Sequence, residues 1–251
     1  MLKLLKLEIR KMLTKKDIML IFGVLVLTPF FFSFCLIKNV AGINFNGQIS
    51  VESYGIMIWS FLKYLFVLYL VPIYIACSFI GREIENRSIN IMLSNAKRMK
   101  VLAAKIITYL FFMTGFFILF QMAGIISYFV FVQGTDFAAV MEASIMETIF
   151  LYLFQWLEMI FVLFVSIALC CIIKGNIVLL LGIGAVILQK LLVNIEIVKR
   201  VLPYYISDYN YYSMIPKENL FTTNMVSMSI YMGILLVLLL IAIYTWEKRD
   251  F

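Results

Sequence analysis

Long apolar runs alternate with short polar segments along the whole chain. Residues 1–17, MLKLLKLEIRKMLTKKD, place Leu2, Leu5, Ile9, Met12 and Leu13 on one helical face. Lys3, Lys6, Arg10, Lys11, Lys15 and Lys16 occupy much of the remainder. This spacing predicts an amphipathic helix in a membrane interface, with apolar residues at the acyl boundary and lysines among anionic headgroups. Ile18 to Ile37 then carries no charge at all. That is about 30 Å of helix, enough to span a bilayer, with a kink expected at Pro29. The run is longer than a signal-peptide core and lacks a small-residue cleavage end, so it is expected to stay in the protein as a span.

Further apolar runs follow at span length. The second lies between Glu52 and Arg82, with Lys63 as its only charge and Pro72 as the expected kink. The third, Ile106 to Thr135, is longer than a straight crossing requires and must tilt or project beyond the bilayer. An acidic stretch, Gly134 to Glu147, separates it from a fourth span that ends at Lys174 and holds Glu158 alone. Lys174-Gly175-Asn176 reads as a tight turn into a fifth span, which meets Gln189 and Lys190 early, so Lys190 is expected to snorkel. Residues 194–224 are mixed and tyrosine-rich, as interfacial or partly re-entrant helices before the last span would be. Met225 to Trp246 is the sixth span. The fold class is therefore all-α integral membrane: one transmembrane domain over residues 1–251, six transmembrane helices preceded by an amphipathic interfacial helix.

Composition strengthens this reading. The chain is 64% apolar and only 14% charged, too little polar surface to cover a soluble globule. Its net charge of +7 sits between apolar runs rather than in a patch. With six spans, 15 of the 21 Lys and Arg residues fall on one side. The positive-inside rule then makes both termini and the 81–105 loop cytoplasmic, and nucleic acid is not an expected partner. The four cysteines lie in apolar runs without a C-x-x-C pair, as packing residues do, and there is no histidine for catalysis or zinc.

Two groups of residues carry candidate chemistry. Lys63 follows Glu52 at the same offset at which Glu158 follows Glu147. Both charges therefore sit about three helical turns, or about 16 Å, below their outer flanking acids. A lone charge at that depth costs roughly 2.5–3.5 kcal/mol, which invites pairing. With Gln155 one turn above Glu158 and Gln121 near the middle of span three, the expectation is an intramembrane polar layer of Lys63, Gln121, Gln155 and Glu158. It serves as a packing clamp or as a gate on a transport path, inside one protomer or facing a second copy, unless Lys63 snorkels outward alone and Glu158 is protonated. The second group is Gly81 to Lys105, GREIENRSINIMLSNAKRMKVLAAK, the longest polar interruption in the first half. Its apolar residues fall on one stripe of a short helix, the form of an element that docks into a groove on another protein.

With these elements placed, the chain resembles the ABC-2 type transporter permeases, membrane subunits of ATP-binding-cassette exporters with the type V exporter transmembrane domain. In that family a cytoplasmic coupling loop reads acidic residue, Gly-Thr, apolar residues, Pro-x-x-Arg, and a Lys opening span three. Here Glu83 and Glu85 stand at the acidic position, Met92-Leu93-Ser94 at the apolar patch, and Arg98 and Lys105 at the basic positions. Arg87-Ser88 replaces Gly-Thr, and Asn95 replaces Pro. The resemblance implies a plasma-membrane protein in which two copies of this permease pair with two copies of an ABC ATPase. It implies that Ile89, Met92 and Leu93 insert into the ATPase, with Glu83, Glu85, Arg87 and Arg98 at the rim. The cargo would be hydrophobic or amphipathic, with an antimicrobial or phenol-soluble-modulin-like peptide as first choice and lipid, drug or ion as alternatives. No G-x-x-x-x-G-K-[ST] occurs, so ATP and Mg would be bound by the partner and this chain holds no cofactor of its own.

Two other classes compete. A stand-alone channel or ion-coupled transporter needs several intramembrane ionisable groups or broken-helix repeats, and only Lys63 and Glu158 lie deep, with no repeat. An intramembrane enzyme needs a metal cluster or a nucleophile–base pair, which the sequence does not show.

Overall fold

In a computed structural model the protein is described over residues 1–38, 48–139, 145–173, 175–195, 202–208 and 215–249. The described residues are overwhelmingly helical, in the order α1 (Leu2–Thr14), α2 (Lys16–Ile37), α3 (Val51–Tyr64), α4 (Val67–Ala76), α5 (Arg82–Glu85), α6 (Ile89–Leu93), α7 (Arg98–Ser127), α8 (Ile145–Ile172), α9 (Gly175–Leu192), α10 (Pro203–Ile206) and α11 (Leu220–Lys248). Wide-turn segments Cys77–Gly81 and Tyr128–Val132 carry α4 into α5 and extend α7. Among the described residues five helices are long and apolar enough to cross a membrane: Lys16–Ile37, Val67–Glu85, Arg98–Val132, Met146–Ile172 and Leu220–Lys248. The fifth expected span is a shorter apolar helix, Ile177–Leu192. Large apolar side chains such as Phe31, Phe111 and Leu180 are exposed around the bundle, a surface suited to lipid rather than water. This is the pattern of a multi-pass membrane protein. Of the expected features, Glu142, Lys174, Lys199, Arg200 and the tyrosines at 209, 211 and 212 lie outside the described residues.

Helix α8 sits at the centre, packed against α4, α9 and α11 and touching α3, α7 and α10. It is the most buried span, whereas α2 and α11 are the least. One end of the bundle gathers α1, the α5–α6 loop, the start of α7 and the last turns of α8 and α11. There the Arg98 guanidinium donates to the carbonyls of Glu247 and Arg249, both at 3.0 Å. Arg249 donates in turn to the carbonyls of Cys170 at 2.7 Å and Cys171 at 2.8 Å. These carbonyls close α8, so a cation there satisfies acceptors that the helix itself leaves open.

The second expected span is interrupted, and not where the sequence suggested. Pro72 sits inside α4 without ending it, as Pro29 does inside α2. The break falls at Leu65–Phe66 instead, where Phe66 takes a left-handed conformation with φ of 61°. A bulky residue there is strained by roughly 1–3 kcal/mol and persists only where its surroundings hold it. Lys190 supplies part of that hold: its Nζ donates to the Tyr64 carbonyl at 3.1 Å and lies 4.0 Å from the Phe66 ring centroid. Lys190 thus caps a broken helix.

Two glycines set how closely α3 and α7 cross. A Cβ on Gly124 would lie 3.2 Å from the Gly55 Cα, a backbone atom that cannot swing aside. A Cβ on Gly55 would lie 2.5 Å from the Gln121 side-chain oxygen. Gly124→Val is expected to force the pair apart and lower stability by about 1–3 kcal/mol, the usual cost of overpacking. Thermal unfolding of the purified variant measures this, and Gly115→Val, at an open position of the same helix, should shift it far less.

Candidate functional site

The intramembrane polar residues come together at the broken span. Lys63 and Glu158 are each 1% exposed, and Lys63 Nζ lies 3.3 Å from Glu158 Oε2. Lys63 also donates to the Ser207 hydroxyl at 2.6 Å, and Ser207 donates onward to the same Glu158 oxygen. The Tyr69 hydroxyl donates to the other carboxylate oxygen. The ion pair is therefore wrapped by two hydroxyls, which satisfy the carboxylate where water cannot. Along the chain Lys63 stands midway between Glu52 and Tyr74, whose hydroxyl donates to Asp17 at the foot of α2. Helical rise along α3 puts Lys63 about 16 Å from Glu52, about half the depth of a hydrocarbon layer of about 30 Å.

Ser207 arrives from α10. Ile206 is buried in a cluster with Ile56, Phe154, Leu157 and Tyr231, which anchors the short helix between α3, α8 and α11. Asp208, next in sequence, accepts from the Tyr64 hydroxyl at 2.8 Å. The 202–208 part of the region before the last span thus enters the bundle to the level of Lys63. Sequence reasoning missed Ser207 and Tyr69. A serine in a tyrosine-rich loop carries no signal of burial, and Tyr69 lies beyond the helix break that brings it round to Glu158.

Gln121 and Gln155 lie beside this pair as a second, looser one. Gln121 Nε2 is 3.5 Å from Gln155 Oε1, and Gln155 Nε2 is 3.4 Å from the Ile56 carbonyl. The Gln121 oxygen is buried without a hydrogen-bond partner. The expected single layer is thus two adjacent pairs, linked through Gln155 and Glu158 on α8. The cavity shared by Trp59, Lys63, Tyr69, Gln155 and Glu158 is about 10 Å³, far too small for a cargo.

A second buried ion centre fastens the 81–105 loop. Lys105 is fully buried inside α7. Its Nζ lies 3.1 Å from Glu8 Oε1 and 2.6 Å from Glu83 Oε2, and it donates to the Phe79 carbonyl at 3.3 Å. Lys11 completes the group, 2.8 Å from Glu83 Oε1 and 3.4 Å from Glu8. Burial works against the Lys11 charge, but the hydrogen bond to Glu83 and the two carboxylate charges outweigh it and raise its pKa above the ordinary lysine value. Two acids and two lysines leave the cluster neutral. It joins α1, the loop and the start of α7.

This centre adds to one expectation and corrects another. Helix α1 keeps Leu2 and Leu13 exposed on its outer face, and turns Glu8 and Met12 into the bundle. The acid turns inward because Lys105 is there to meet it. The expected loop is also shorter and less simple than one amphipathic helix. Its final stretch, from Arg98 on, already belongs to α7, and a turn with Arg87 at φ of 54° separates α5 from α6.

The loop residues divide accordingly. Ile89 is 1% exposed and packed in the chain's own core, with Met92 and Leu93 half-buried against it. Glu83 belongs to the ion cluster, and Arg98 holds the C-terminal end of α11. Glu85 and Arg87 are not drawn into the cluster, and Arg87 is exposed. The apolar residue presented outward is Ile91, 71% exposed, which the stripe argument left out. The stripe was sound as a pattern, but it faces inward. Among the described residues no three His, Cys, Asp or Glu side chains come together as metal ligands would. No protein-family model, curated protein or solved structure matches the chain.

Proposed function

We propose that this chain is the transmembrane permease subunit of an ATP-driven exporter of the ABC-2 type, with the type V exporter arrangement of six spans. Ile177–Leu192 is then the fifth span, and both termini are cytoplasmic in the plasma membrane. Two copies would assemble with two ABC ATPase subunits that bind ATP and Mg, around a path for a hydrophobic or amphipathic cargo. An antimicrobial or phenol-soluble-modulin-like peptide is the preferred cargo, with lipid, drug or ion behind it.

The observation that carries this reading is the way the 81–105 loop is held. A solvated topology signal needs no buried anchoring. Here the loop is tied by Glu83 to Lys105 at the head of the long α7 and to Lys11 on α1. A push on it is therefore delivered to α7 and α1 together, as a lever between a motor and a bundle requires. Its outward surface is an apolar tip, Ile91, on a loop that also carries Glu85 and Arg87.

Docking of that tip is tested by Ile91→Asp. Burying one such side chain is worth roughly 1.5–3 kcal/mol, so ATPase affinity should fall about tenfold or more. Arg87→Ala, a rim charge worth about 0–1 kcal/mol, should cost much less. Titration of the purified ATPase onto detergent-solubilised permease measures both. Equal affinity of wild type and Ile91→Asp would remove the loop from the interface.

A further inference from the structure

At the junction of α1, the wide turn Cys77–Gly81 and the loop, a recess of about 280 Å³ is lined by Lys11, Lys15 and Arg82 together with Phe79, Asn86 and Ser88. Glu83 also borders it, but its two oxygens are taken by Lys105 and Lys11. Among the described residues neither Lys15 nor Arg82 forms an ion pair, and Asp17 and Glu83 act on Lys15 only from further off. Lys15 instead donates to the Ser78 carbonyl at 3.0 Å and lies 4.1 Å from the Phe79 ring centroid. Burial lowers its pKa from the ordinary lysine value; Asp17 pulls it up by less, and the Arg82 charge pushes it down again. Two cations thus converge on one polar recess, where an anion would neutralise them.

The depth of the recess says which anion is at hand. Tyr74, bonded to Asp17, marks the foot of α2, where the uncharged span begins. Ser78 lies one turn beyond Tyr74 and Arg82 two turns, about 6 and 12 Å along the helix. The polar headgroup region is about 5–8 Å thick on each face of the hydrocarbon, so Ser78 lies at the level of lipid phosphates and Arg82 just beyond it, on the wall of the same recess.

We infer that this recess is a phosphate-binding site, filled by the headgroup of an anionic lipid and contacted through Lys15 and Arg82, with Asn86 as a hydrogen-bond donor. Its walls are α1 and the loop, so an occupant ties the two together beside the Lys105 cluster. The inference stands apart from the exporter reading, since it concerns this chain alone.

The full chain, purified in detergent, is offered equal amounts of phosphatidylglycerol and phosphatidylcholine, and bound lipid is counted by native mass spectrometry. Wild type should retain phosphatidylglycerol in preference. The double variant Lys15→Gln/Arg82→Gln should lose roughly thirtyfold in phosphatidylglycerol affinity, the worth of two cations near an anionic surface. Lys3→Gln/Lys6→Gln removes the same charge from exposed positions of α1 and should retain the preference. Lys15→Arg/Arg82→Lys keeps the charge and should also retain it, which separates loss of the site from loss of folding. A second arm follows thermal unfolding with inorganic phosphate in place of lipid. Stabilisation by lipid but not by phosphate assigns the headgroup, and stabilisation by both assigns free phosphate as a ligand of the same site. No lipid preference in wild type, or equal losses in the Lys15/Arg82 and Lys3/Lys6 variants, overturns the inference.

Discussion

Lys105→Ala is expected to cost the folded chain about 3–5 kcal/mol, because it leaves Glu8 and Glu83 facing one another with most of their compensation gone. Glu8 is fully buried, so water cannot take the place of the lysine. Lys11 still reaches both acids, but it is partly exposed and 3.4 Å from Glu8. The damage should be local first. Helix α1 is held largely by this cluster and by Met12, and its amides should lose hydrogen-exchange protection before those of α7 or α8 do. Adding Glu8→Gln to Lys105→Ala removes the stranded charge and should recover much of the loss. Unchanged melting and unchanged α1 protection in Lys105→Ala would show that the cluster does not hold the loop, and the lever described above would lose its fastening.

The central pair should behave in the same way with a different second step. Lys63→Glu and Glu158→Lys each place like charges in a dry site and are expected to cost about 3–5 kcal/mol or more, seen as loss of monodisperse protein on gel filtration. The double swap should restore part of the yield. The neutral pair Lys63→Met/Glu158→Gln is the sharper variant. Glutamine keeps an acceptor for the Tyr69 hydroxyl, its amide N–H can donate to the Ser207 oxygen that Lys63 no longer engages, and well-packed neutral substitutes for a buried ion pair are often no less stable. If the pair is only a clamp, this variant should fold and transport as wild type does. If it folds and fails to transport, the charges belong to the path.

How much of this was legible beforehand can be followed residue by residue. The apolar runs were legible because a span needs about 20 residues of one character, a signal that local detail does not blur. Lys63 and Glu158 could be paired because a charge in such a run has few ways to exist, and equal offsets from flanking acids put both at one depth. Tyr69 could not be found, since it completes the pair through a helix break at Phe66 that no glycine or proline marks, and Ser207 could not because a serine in a tyrosine-rich loop carries no signal of burial. Pro72, the obvious breaker, leaves α4 unbroken, as helix-internal prolines can where neighbouring groups take up the freed carbonyl. Glu8 was passed over because one acid among six cations reads as part of a solvated face. Only the three-dimensional position of Lys105, far along the chain, turns it inward. The loop failed in a third way: periodicity identifies an apolar stripe but not what it faces, and Ile89 faces its own chain while Ile91 faces out.

The central claim is that an ATPase drives this chain through the tip of the 81–105 loop. A photo-crosslinking residue placed at position 91 of the full chain, in native membranes, tests it most directly, with position 89 as the buried control. The account predicts a crosslink from position 91 to a protein carrying a P-loop, and none from position 89. Crosslinks from position 91 to lipid or water alone, in membranes where the chain is shown to be folded, would contradict it.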